Sequence, residues 1–215
     1  MPRIRQVVVP ALFPDHGPVH TMLFGEAPGP RGADQSGLPF WGDGAGLPVY
    51  RALRSAGMAE FPSRALDLWD GATLREAGLR PVLSGVALSN AYPRCPTRDG
   101  DHFHAPTDRQ LLEPLNLERI LEELRRCRPR TRLRVIVLGK RAAWLFSRLP
   151  GAPPFELVAL PHSSAQGLLQ AARRRGHRQR QRFLVEHPGQ GAYRLVVQQQ
   201  GHRALTQRFG VVQFF

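Results

Sequence analysis

Residues 19–29 read VHTMLFGEAPG. The run from Val19 to Phe24 is short and mainly apolar, and Gly25 to Gly29 (GEAPG) stops it abruptly. Six residues of this kind, ended by glycine and proline, predict a buried strand rather than a helix. The same pattern recurs outward from it. GVALS at 85–89 ends at Asn90, LRVIVL spans 133–138, and FELVAL at 155–160 stops at Pro161 and His162. Between these runs the apolar spacing lengthens. Leu47, Tyr50, Leu53 and Met58 recur at helical intervals with Gly57 as the helix end. Thr107 can cap a helix running from Asp108 to about Cys127, with Leu111, Leu115, Ile120, Leu121 and Leu124 on its inner side. Arg141 to Leu149 reads as a further short helix.

Strands alternating with helices predict an α/β fold. It should be a three-layer α/β/α sandwich around a central, mainly four-stranded parallel sheet. Ligands of such sheets bind beyond the carboxyl ends of the strands. Three polar clusters fall there: Gly25 to Gly46, Asn90 to Thr97, and His162 to Ser164. They are remote in sequence and are expected to converge in space.

One domain with an appendage is expected: residues 1–165 as the α/β domain, and 166–215 as a basic C-terminal extension packed on the same domain. Within the extension, 171–182 (AARRRGHRQRQR) carries six arginines and no acid. YRLVV (193–197) and VVQFF (211–215) could pair as strands.

The charge narrows the function. Thirty basic residues stand against 17 acids in 215, a net charge of +13, and Lys140 is the sole lysine. Arginine's planar fork suits phosphate, so a nucleic-acid partner is expected. No apolar run approaches the ~20 residues of a membrane span, and the first ten residues do not read as a secretion signal. A monomeric cytoplasmic protein is the expectation. Cys95 and Cys127 are too few for a disulfide scaffold or a metal site of their own. His102 and His104 read as a surface loop.

The polar clusters carry a resemblance. GEAPG followed by Gly37-Leu38-Pro39-Phe40 resembles the first motif of the uracil-DNA glycosylase superfamily in its family-four form, and Phe40-Trp41-Gly42-Asp43 is similar to the family-five form. NAYPRCP (90–96) resembles the family-four stretch that opens on a uracil-reading Asn. Leu160-Pro161-His162-Ser163-Ser164 is similar to the His-Pro-Ser motif, with Ser163 in place of Pro. Val135 to Gly139 with Ala142 and Ala143 resembles the strand–helix step between them. The resemblance covers about residues 19–165.

It implies a monofunctional glycosylase that flips uracil, and other deaminated or modified bases, out of DNA. Hydrolysis of the N-glycosidic bond then leaves an abasic site. A flipped base needs a stacking floor and hydrogen bonds to its edge. Phe40 matches the floor; a core phenylalanine is the plainer alternative. Asn90 can accept from uracil N3–H and donate to O4, which cytosine cannot match; its plainer role is a turn cap. His162 lies where the superfamily's histidine donates to O2 of the departing base.

Both Glu26 and Asp43 are candidates for the water-positioning acid. The alternatives are an exposed loop carboxylate for Glu26 and a helix N-cap for Asp43. Gly25, Glu26 and Ala27 complete the uracil-binding set. Pro28, Gly29, Ser163, Ser164, Gln166, Leu168, Arg173, Arg174 and Arg175 are expected on DNA. Gly29 stands where the family-one enzymes carry a thymine-blocking Tyr, so modified uracils could be tolerated.

The chain departs from families four and five in one chemical respect. Those families hold an iron–sulfur cluster through four cysteines. Here Cys95 matches one ligand, the N-terminal region has none, Pro114 takes the place of another, and Cys127 lies too far along. No cofactor or metal is therefore expected. The segment from Arg64 to Leu83 has no counterpart in the resemblance. A second reading keeps the pocket and the DNA grip without efficient turnover: a uracil- or abasic-site-binding protein of the same superfamily. A nucleotide enzyme on a Rossmann-like fold is disfavoured, because no G-x-G-x-x-G follows the first strand.

Overall fold

The computed structural model describes residues 3–127, 129 and 132–164, and the backbone of three later strands. In chain order the elements are β1 (Thr21–Gly25), α1 (Ala33–Ser36), α2 (Gly46–Ser55), β2 (Ala59–Glu60), α3 (Gly71–Glu76), β3 (Val82–Leu83) and β4 (Val86–Asn90). There follow α4 (Asp108–Leu111), α5 (Pro114–Arg126), β5 (Leu133–Leu138), α6 (Lys140–Phe146) and β6 (Phe155–Leu160). The last three strands are β7 (Gln181–Glu186), β8 (Tyr193–Gln199) and β9 (Gly210–Phe214).

β4, β1, β5 and β6 form one sheet in that order, with every pair parallel. Successive side chains of a strand point to opposite faces, and the core divides accordingly. Met22 and Phe24 of β1, Ala87 of β4, and Val135 and Val137 of β5 pack against Leu111, Ile120, Leu124, Leu145 and Phe146 of the helices on one face. Leu23, Val86, Leu88, Ile136 and Leu138 pack on the other face with Val49, Tyr50 and Leu53 of α2. A parallel sheet buried on both faces reads in sequence as a continuous apolar run, and the inner strands do so.

The helix expected over 108–127 is broken in two. Thr107 caps α4 with a full capping box, its hydroxyl accepting from Gln110 N–H while the Gln110 side chain accepts from Thr107 N–H. Pro114 then starts α5 at its first turn, where a missing N–H costs nothing. The restart moves Leu115 off the inner side: it is 73% exposed, while Leu111, Ile120 and Leu124 remain in the core.

The segment from Arg64 to Leu83 is a brace for the loop that precedes α2. Asp70 caps α3 by accepting from the N–H groups of Ala72 and Thr73. The Trp41 indole donates to Leu79 O at 3.0 Å, and the Trp69 indole to Asp43 O at 2.7 Å. Trp41, Tyr50, Phe61 and Trp69 meet edge to face beneath that loop.

β8 and β9 pair antiparallel as expected, and β7 adds a third strand that the arginine run had hidden. Gln166, Leu168, Arg173, Arg174 and Arg175 lie outside the described residues. Among the described residues no helix is long and apolar enough to cross a membrane.

Candidate active site

The carboxyl ends of β1 and β4 lie side by side, with Gly25 opposite Asn90 in the register. Gly25 has no substitute here. A Cβ on it would come within 2.7 Å of Asn90 Oδ1 and 2.9 Å of two ring carbons of Phe40. The bare backbone lets an amide and an aromatic ring close on one point. Phe40 reaches that point from a left-handed backbone with φ 63°. A non-glycine residue held there costs on the order of 1–3 kcal/mol and persists only when its surroundings enforce it. The enforcement is visible: Asp43 N–H donates to Phe40 O, and Gly46 packs so closely that a Cβ would overlap that carbonyl.

Asn90 is 2% exposed, and its Nδ2 has no hydrogen-bond partner among the described residues. An unpaired buried amide is costly. Its backbone is held from behind by α5. Arg119 donates to Asn90 O at 2.9 Å and to Asn116 Oδ1 at 2.8 Å, and it pairs with Glu123. Asn116 donates to Ala91 O and Leu111 O, each at 2.9 Å, while Ser89 donates to Glu123. This clamp escaped the sequence reading, because polar residues at positions 116, 119 and 123 resemble a solvated helix face. The i, i+3, i+7 spacing beside the strand-end Asn was the available signal.

The two acids occupy different environments. Glu26 is half-buried rather than an exposed loop carboxylate, and its Oε1 accepts from Arg141 N–H at 2.8 Å. Gly139, with φ 99°, makes the room: a Cβ there would fall on the Glu26 carboxylate. Asp43 does not cap α2 with its side chain. Its Oδ2 turns back to accept from Gly29 N–H at 3.3 Å and Ala33 N–H at 3.1 Å. Burial pushes its carboxyl up to about 6, against the opposing pull of the Ala33 and Gly29 amides. Gly29 and Asp43 are a matched pair, since a Cβ on Gly29 would lie 2.0 Å from Asp43 Oδ1. The Asp43 carboxylate thus fills the space beside Gly29.

His162 is half-buried just beyond β6. Its Nδ1 accepts from Ser164 N–H at 3.2 Å and lies 3.0 Å from Ser164 Oγ. An Nδ1 that accepts an amide proton carries none itself, so the neutral ring bears its proton on Nε2. Burial lowers the His162 pKa below its ordinary value, and the Glu26 charge opposes this. The imidazole at neutral pH is therefore an uncharged N–H donor. Ser163 is turned inward, 3% exposed, with its hydroxyl donating to Ala45 O at 2.7 Å. Its side chain ties the His162 loop to the start of α2 instead of facing outward. Pro28, expected on DNA, is buried.

Gly25, Glu26, Phe40, Asp43 and His162 all line one cleft of about 880 Å³. Ala27, Gly29 and Ser164 line it too, and Asn90, buried and outside that lining, neighbours Gly25. The three polar clusters do converge. Phe103, His104 and Lys140 line it as well; the family-like motifs include none of them, and His104 was expected only in a surface loop.

The cysteines do not fit an iron–sulfur cluster. Cys95 is 1% exposed, and Cys127 is 2% exposed in the core beside Met22. Burial pushes both thiols up to about 12. An all-cysteine cluster needs four thiolates, and the chain has two cysteines.

The sequence model of the Uracil DNA glycosylase superfamily matches residues 14–188, which is most of the chain and runs past the expected domain boundary at 165. No curated protein matches it.

Proposed function

The chain belongs to the uracil-DNA glycosylase superfamily, and on that premise we propose that it is a monofunctional glycosylase excising uracil from DNA. The observation that carries this reading is the buried Asn90 amide, unpartnered at Nδ2 and separated from the Phe40 ring only by Gly25. A uracil stacked on Phe40 would donate from N3–H to Oδ1 and accept at O4 from Nδ2. Binding the base supplies the hydrogen bond that Nδ2 lacks, and a fixed amide rejects cytosine, whose edge is reversed.

Hydrolysis breaks the C1′–N1 bond as water oxygen bonds to C1′. The electron pair leaves with the base and is shared between N1 and O2, where the His162 Nε2–H stabilises it. The water proton passes to a carboxylate. Asp43 is the better placed of the two acids for that role. Its raised pKa suits a base working near neutrality; each acid has one oxygen held by backbone N–H groups, Asp43 by Gly29 and Ala33 and Glu26 by Arg141 in the first turn of α6. Glu26 then acts through its charge, beside His162 and the sugar.

The test is base discrimination. Asn90→Asp should slow excision from a uracil-containing oligonucleotide and admit some cytosine, because a protonated Asp can donate towards cytosine N3. Phe40→Ala should lose ~1–3 kcal/mol of stacking. If both variants keep the wild-type rate and selectivity, the base does not sit in this pocket.

We further propose that no iron–sulfur cluster is bound and that hydrogen bonds do its structural work. The Arg119–Asn116 clamp holds the strand end at residues 90–91, and α5 itself begins at Pro114, one of the ligand-like places. Anaerobically purified protein is expected to be colourless, without stoichiometric iron or sulfide. Iron at cluster stoichiometry would overturn this.

A further inference from the structure

The cleft is wider than one base requires, and its outer wall has chemistry of its own. Phe103 is 46% exposed at the cleft mouth. It sits on a turn that the chain fixes at many points. Asp99 Oδ1 accepts from Asp101 N–H and His102 N–H, each at 2.9 Å, and Asp99 Oδ2 pairs with His102. Thr97 and Phe103 form an antiparallel bridge, His104 N–H donates to Pro96 O, and Ile4 N–H donates to Gly100 O from the N-terminal segment. At the base of the loop Arg141 donates to Pro106 O and pairs with Asp108. Ordering this loop costs conformational entropy, and the result is a large aromatic face held in water.

The polar groups around that face are those a nucleotide needs. Lys140 lines the same cleft, is exposed, and has no ion-pair partner among the described residues. His104 Nδ1 is 2.8 Å from Ala105 O. That carbonyl can only accept, so Nδ1 donates, and Nε2 of the neutral ring is left as an acceptor.

We infer that Phe103, with His104 and Lys140, forms a second nucleotide subsite. It takes an unpaired nucleobase next to the flipped one, stacked on Phe103, with its phosphate towards Lys140. The inference rests on the proposed base pocket only for its location. It extends the substrate from a single base to a stretch of locally unpaired DNA, since a neighbour drawn onto Phe103 gives up its own stack in the duplex.

The experiment is a coupling measurement by fluorescence anisotropy. The probe is a single-stranded oligonucleotide with 2′-fluoro-2′-deoxyuridine at its centre, so that binding is read without excision. A second series replaces each flanking base in turn by an abasic tetrahydrofuran. Phe103→Ala should weaken binding of the intact probe about tenfold. The loss should vanish on one member of the abasic series, which marks the stacked position. Phe103→Trp should retain wild-type affinity, whereas Phe103→Leu, similar in apolar bulk but without a ring, should behave as the Ala variant does. Thermal melting checks that the variants fold.

Equal affinity of wild type and Phe103→Ala, or an equal loss on every member of the abasic series, would overturn the subsite. Excision of uracil by wild type is measured alongside. Coupling without excision would sink the glycosylase reading and leave the subsite standing. Excision without coupling would do the reverse.

Discussion

Asp43→Asn is expected to slow single-turnover excision of uracil by on the order of 10²-fold or more. It should also abolish the acid limb of the pH–rate profile. Burial raises the Asp43 carboxyl to about 6, so the wild-type rate should rise with pH to a plateau, with its midpoint near that value. The substituted amide has no proton to lose there, and the residual rate of the variant should be flat. Stability should move the other way. A carboxyl whose folded pKa lies above its unfolded value favours folding while protonated. That contribution is complete below the ordinary carboxylate value of 3.8 and is lost as pH rises through about 6. A shift of this size is worth about 3 kcal/mol at most. The Asp43→Asn side chain would carry none of that penalty while still accepting from the Gly29 and Ala33 amides, so the variant should be more stable than wild type at pH 7. Glu26→Gln keeps an acceptor for Arg141 N–H and should be the milder change. If Glu26→Gln proves the worse, the roles of the two acids are exchanged; if both keep full rate, neither is catalytic.

His162→Ala should cost roughly 10²–10³ in the chemical step, the scale of losing one preorganised donor to a developing anion. The His162 pKa is lowered by burial. The ring is thus already neutral at pH 7, and the acid limb assigned to Asp43 should survive in the Ala variant at its reduced rate. Base affinity should change little, since the contact gains strength as charge reaches O2. Rapid-quench kinetics at saturating enzyme, with binding measured in parallel, separates the two effects. An unchanged chemical step, or a loss confined to affinity, would remove His162 from the reaction.

The sheet was legible because its inner strands carry apolar side chains to both faces and stop at residues that cannot continue them. Gly25, Asn90, Gly139 and Pro161 mark those ends. The site was legible for the same reason: strand ends of one parallel sheet must converge, so Phe40, Asn90 and His162 could be grouped without knowing a distance. What was lost depended on tertiary contact. Leu111 and Leu115 look like one helical face until Pro114 restarts the helix and turns Leu115 out. Trp69, Leu74 and Leu79 have no clear period, because the cluster they join is assembled from segments remote in sequence. Arg119 and Glu123 looked solvated; two backbone carbonyls at the end of β4 make them part of the interior. The different surroundings of Glu26 and Asp43 depend on amides that sequence does not align, those of Gly29, Ala33 and Arg141.

The central claim is that this pocket breaks the bond to the base it receives. A single-stranded oligonucleotide with one labelled uracil, incubated with excess enzyme at about neutral pH, tests it most directly. Free uracil and an alkali-labile abasic site should appear in equal amounts, with the label leaving only as the base. Tight binding of the uracil strand with the glycosidic bond intact after prolonged incubation would contradict it, and would make the chain a damage-binding member of its superfamily.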